Sequence, residues 1–112
     1  MPALLIAKSY KIVDRVEAGR EDRTSDKDAS DVVRIMQSVA PAQMTAALEQ
    51  LQGNAIAGAS TELGIAHFER LFGRRNGDGI SMAIRALGQA MPEERVRALC
   101  LAYAGEVQAA LS

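Results

Sequence analysis

The feature that most constrains this chain is the spacing of its apolar residues, which recur at intervals of three and four along most of its length. The cleanest row lies near the C-terminal end: Val96, Leu99, Cys100, Tyr103, Val107 and Leu111. At 100° per residue such positions share one face of a helix, while the alternation expected of strands is nearly absent. Breakers divide the pattern into segments short enough to be single helices. The sequence therefore predicts an all-α fold, a compact bundle of about five to six helices joined by short loops.

The first segment spans about Ala3 to Ala18. Leu5, Ile12, Val13 and Val16 fall in one arc, with Lys8, Lys11 and Arg15 on a neighbouring one. Gly19 is placed to end it as a C′ residue. A charged loop, Arg20 to Thr24, follows. Ser25-Asp26-Lys27-Asp28 fits a capping box, so Ser25 is expected to be the N-cap of the second helix. Its apolar row is Ala29, Val32, Val33 and Met36. Pro41 is suited to be N1 of a third helix, which carries Met44, Ala47, Leu48 and Leu51 and stops at Gly53-Asn54. Residues Ala55 to Ser60 read as a loop or as a closely packed helix. From Thr61 to Phe72 the pattern is firm, with Gly64, Ile65, Phe68, Leu71 and Phe72 on one face. A basic turn, Gly73 to Gly77, leads to Asp78, expected as the N-cap of a fifth helix with the row Ile80, Ala83, Ile84, Leu87 and Met91. Pro92 opens the sixth, with Glu93 and Glu94 near the positive end of its dipole.

At 112 residues, with 48% hydrophobic and 24% charged residues, the chain is expected to form a single domain over 1–112. The formal charge of −1 makes a phosphate-dominated nucleic-acid binder an unfavoured class. Cys100 is the single cysteine, which excludes an intramolecular disulfide and a cysteine-based zinc site. No apolar run approaches the roughly 18 residues of a membrane span. The short apolar start lacks a basic region before it and is a poor secretion signal. The expectation is a soluble cytoplasmic protein without a membrane partner.

The constellation most suggestive of chemistry is Lys8, Arg15, Lys27, Asp28 and Asp31. Asp28 falls within the apolar arc of the second helix, near Val32, Ile35 and Val39. A carboxylate there is costly unless paired or hydrogen-bonded. If the first two helices form a hairpin, Lys8 meets Asp28 or Asp31. The plainer reading is that Asp26 and Asp28 serve the exposed N–H groups and dipole of a helix start.

Ala7-Lys8, Arg15, Arg23 and Lys27-Asp28-Ala29-Ser30-Asp31-Val32 resemble a stretch of the minimal-nucleotidyltransferase-like proteins of the AbiEii toxin type. In that family a lysine-bearing helix and an arginine precede an Arg/Lys-Asp-x-x-Asp-aliphatic signature on the next helix. The resemblance covers about residues 3 to 40. It implies a small mixed sheet followed by helices, and nucleotidyl transfer from a nucleoside triphosphate with Mg²⁺ on acidic residues of the sheet. It would match Lys8 to a phosphate-contacting lysine and Asp28 to the acid of the later motif, with Asp31 and Arg15 as orienting groups. The family's Gly-Ser motif, and the metal-binding acids and strands that go with it, do not occur in this sequence. What the resemblance implies here is the C-terminal helical part of such a protein, with Lys8, Arg15, Lys27, Asp28 and Asp31 as a vestigial or phosphate-site cluster. No catalytic residue, metal site or cofactor is expected of this chain alone.

Other residues carry weaker signals. His67 is a lone histidine beside a helix face, Cys100 lies on a core row, and the turn from Gly73 to Gly79 lacks the lysine and spacing of a P-loop. Two functions are therefore expected from different classes. One is a non-catalytic helical domain related to nucleotidyltransferase-like proteins that has lost, or been separated from, an N-terminal catalytic sheet domain. The other is a stand-alone, self-associating helical interaction module, a homo-oligomer whose apolar faces meet.

Overall fold

The computed structural model describes residues 1–20 and 22–112. Among the described residues six α-helices follow one another: α1 (Pro2–Glu17), α2 (Arg23–Ser38), α3 (Pro41–Gln52), α4 (Gly58–Phe72), α5 (Asp78–Leu87) and α6 (Glu93–Leu111), with a 3₁₀ turn at Gly88–Ala90 before the last. There is no strand among the described residues. The all-α bundle expected from the periodicity is what the chain forms. Its radius of gyration, 13.1 Å, is the ~13 Å of a compact domain of this length. No helix among the described residues is long and apolar enough to cross a membrane.

Each helix turns the row its spacing marks toward the core, with members such as Val16, Ile84, Leu99 and Leu111 only partly buried. Leu5, Ile12 and Val13 of α1 meet Ala29, Val32, Val33 and Met36 of α2 in one core with Met44, Leu48, Phe68, Leu71, Phe72, Ile80, Val96, Cys100, Tyr103 and Val107. The α2–α5 contact is the most extensive, and α1 lies between α2 and α4. Gly64 allows the α1–α4 approach: a Cβ there would stand 2.5 Å from Ile6 Cγ2 and 3.1 Å from Tyr10 Cε2. Pro2 and Pro41 sit at the starts of α1 and α3, where a missing N–H costs nothing. Gly19, at φ +67°, is the left-handed residue that ends α1.

Several boundaries differ from the sequence reading. Asp22, not Ser25, caps α2: its side chain accepts from the N–H groups of Thr24 and Ser25. Ser25 lies inside the helix and is fully buried. A cap must stand outside the first turn, and the carboxylate three residues upstream reaches the free N–H groups. Gly77 is the N-cap of α5 and Asp78 the first helical residue. Pro92 is the N-cap of α6. Of the stretch from Ala55 to Ser60, Gly58 onward is helical and joins α4. Met91 follows the 3₁₀ turn and is only partly buried against the core.

Candidate functional site

Lys8 and Asp28 come together because α1 and α2 pack as a hairpin. Position 8 stands at the edge of the buried arc of α1, and position 28 on the side of α2 that turns toward α1. Lys8 Nζ donates to Asp28 Oδ1 at 2.9 Å and stands 3.1 Å from Asp31 Oδ2. The Lys8 side chain is 19% exposed and that of Asp28 6%. Lys11 Nζ approaches the second Asp28 oxygen, Oδ2, at 3.2 Å. It does so out of hydrogen-bond alignment, so this buried oxygen has no hydrogen-bond donor among the described residues. The ion pair stabilises it by charge alone.

Asp31 gathers more cations. Lys27, one turn before it, lies 3.4 Å from Oδ2, and Arg34, one turn after, 3.7 Å from Oδ1. The hydrogen bond from Lys8 to Asp28 raises the Lys8 ammonium above its ordinary value, against the opposing effect of burial. Burial pushes the Asp31 carboxyl up, but the hydrogen bonds and charges of Lys8 and Lys27 together hold it below the usual carboxylate range.

Lys8, Lys27, Asp28 and Asp31 thus belong to one network. Arg15 does not join them: its guanidinium donates to Asp22 at 3.0 Å, at the start of α2. Arg15 lies one turn beyond Lys11, opposite the helix start rather than the acids inside it. Lys11 and Arg34 belong to the network although neither was marked by the sequence signature. Their signal was available: Lys11 shares an arc with Lys8, and Arg34 stands three residues from Asp31.

The remaining candidates are structural. His67 packs edge-on against Tyr10, ring centres 5.0 Å apart, and the Tyr10 hydroxyl donates to the Ser60 carbonyl at 2.6 Å. Cys100 is buried, which pushes its thiol up to about 12 despite the opposing charge of Arg97. Arg97 donates to the Arg75 carbonyl in the turn after α4, and Gly79, in the first turn of α5, packs under Phe72. Arg70, the flank of that basic turn, pairs with Glu17 at 3.1 Å.

No group of His, Cys, Asp or Glu among the described residues is arranged to hold a metal ion. Asp28 and Asp31 face ammonium and guanidinium groups instead. The site can store paired charge at a helix–helix junction. No family model, curated protein or solved structure matches the chain.

Proposed function

We propose that this chain is a non-catalytic helical domain related to the nucleotidyltransferase-like proteins, acting in the cytoplasm as a structural or interaction part. The observation that supports this reading is the placement of Lys8 between Asp28 and Asp31 at 2.9 and 3.1 Å. A lysine that handles phosphate must offer its ammonium to a ligand. Here the ammonium is committed to two carboxylates, and releasing it would leave buried Asp28 with Lys11 alone. The residue types of the resembled signature serve as a clasp between α1 and α2. Titration calorimetry with ATP, GTP, CTP or UTP plus Mg²⁺ is expected to show no tight binding. A micromolar signal would overturn the reading.

A second reading, a self-associating helical module, draws on the exposure of large apolar side chains: Ile56 is 95% exposed, Leu63 52% and Leu4 43%. Sedimentation across a wide concentration range tests it. A strict monomer at high concentration would remove it.

A further inference from the structure

We propose that the groove between α2 and α5 docks an acidic segment of a partner protein. The groove encloses ≈ 470 Å³, and its lining includes Arg23, Asp26, Lys27, Ser30 and Arg34 of α2 and Arg85 of α5. Arg23, Lys27, Ser30 and Arg34 follow one another at i, i+4, i+7 and i+11, which makes a single ridge about 16 Å long. The cations along it are solvent-facing: Lys27 is 73% exposed and Arg34 67%.

This ridge keeps positive charge that its own acids do not neutralise. Asp26 is held by the fork of Arg85, at 3.0 and 3.2 Å. Asp31 is the carboxylate nearest to both Lys27 and Arg34, but it is already engaged by Lys8 at 3.1 Å. Arg23 makes no ion pair among the described residues, and it stands one turn from the like charge of Lys27. Like charges at that spacing destabilise a helix. The excess persists on a chain whose formal charge is −1. An anion lying along the ridge would relieve it.

The shape of the groove selects the kind of anion. Its cations are strung along a line rather than gathered around a point, so a single phosphate would meet only part of the row. No aromatic side chain lines it, so bases would find no stacking platform. The near-neutral chain also lacks the basic excess that holds nucleic acid through its backbone. Carboxylates repeated along a polypeptide match a linear row, and the Arg85–Asp26 fork already shows carboxylate recognition in this groove. The proposal does not depend on a relation to nucleotidyltransferases.

Fluorescence anisotropy with the full chain and a short fluorescein-labelled Glu-rich peptide tests it, with a Lys-rich peptide as control. Saturable binding that weakens with added salt is expected for the acidic peptide alone. The double variant Arg23→Gln/Lys27→Gln, checked for helicity by circular dichroism, should bind about tenfold more weakly. Arg74→Gln, which removes an exposed cation from the turn after α4, should bind as the parent does. No saturable binding, or an equal loss in Arg74→Gln, would overturn the proposal. So would displacement of the peptide by tripolyphosphate or a single-stranded oligonucleotide at lower concentration than by unlabelled peptide. A groove occupied by a second copy would appear as a dimer in sedimentation that the double variant dissociates, and that result too would overturn it.

Discussion

The Lys8 ammonium and the Asp28 carboxylate lie 2.9 Å apart across the α1–α2 junction, although they stand 20 positions apart in the chain. The acid is almost wholly buried, whereas the base keeps partial access to water. The two ends of this pair are therefore unequal. Removing Asp28 strands a lysine that can still turn toward solvent and Asp31. Removing Lys8 leaves a buried carboxylate facing Lys11 alone.

Lys8→Met is accordingly expected to destabilise the fold by about 3 kcal/mol, the scale for breaking one side of a buried pair. Asp31→Asn, at a more exposed carboxylate, is expected to cost about 1 kcal/mol or less. The double variant Lys8→Met/Asp28→Leu should recover much of the first loss, because no uncompensated charge remains. Urea denaturation followed by circular dichroism ranks the variants. Equal midpoints for Lys8→Met and the parent would contradict the clasp.

The same network has a definite pH signature. Asp31 is held below its ordinary carboxylate value when folded, so its contribution is present above the unfolded value and is lost as pH falls through the folded one. Asp22 acts in the same direction, held down first by the Ser25 backbone N–H and then by Arg15 and Thr24. Lys8 is raised, so its contribution is full below the unfolded lysine value and disappears as pH rises through the folded one. Stability is therefore expected to fall below about pH 4 and again in strong alkali. Asp31→Asn should flatten the acid limb. An unchanged acid limb in that variant, measured by thermal melts from pH 2 to 7, would contradict the assignment.

At the start of α2, Asp22 Oδ1 accepts from the N–H groups of Thr24 at 2.9 Å and Ser25 at 3.1 Å. Asp22→Ala is expected to cost about 1 kcal/mol, the usual value of a cap. Ser25→Ala should cost less, because the Ser25 hydroxyl lies 3.5 Å from that same oxygen and caps nothing. A larger loss in Ser25→Ala than in Asp22→Ala would restore Ser25 as the cap.

These contrasts mark what the sequence could convey. The apolar rows were legible because burial of one helix face leaves a 3.6-residue period in the chain itself. The Lys8–Asp28 meeting was legible for a related reason: a carboxylate within an apolar arc demands a partner, and the neighbouring helix offered a lysine at its edge. The α2 cap was not legible, because Ser25-x-x-Asp28 fits the capping box, whereas Asp22, the true cap, has Ser25 and no acid three residues on. Only the three-dimensional start of the helix separates them. Arg15 was misplaced because chemical type fixed its expected company, whereas its distance along α1 fixes its real one. The α2–α5 groove depends on a pairing between distant segments, and Arg85 carries no local sign that it will fork onto Asp26.

Close approach of α1 and α4 at Gly64 is the last such nonlocal feature, and it makes a sharp prediction. A Cβ at Gly64 would stand 2.5 Å from Ile6 Cγ2 and 3.0 Å from Ile6 Cδ1. Helix propensity alone favours Ala over Gly in a helix interior by about 1 kcal/mol. Overpacking opposes it, at about 1–3 kcal/mol, because Ile6 must change rotamer or the helices must separate. The second effect should win, so Gly64→Ala is expected to lower the melting temperature. Gly64→Ala/Ile6→Ala should restore part of the loss by clearing the contact, although it also deletes partly buried apolar surface. Gly105, where an added Cβ meets nothing within 4 Å, supplies the control. Gly105→Ala on α6 should raise the melting temperature through propensity alone. If Gly64→Ala stabilises as much as Gly105→Ala does, the two helices do not approach as described.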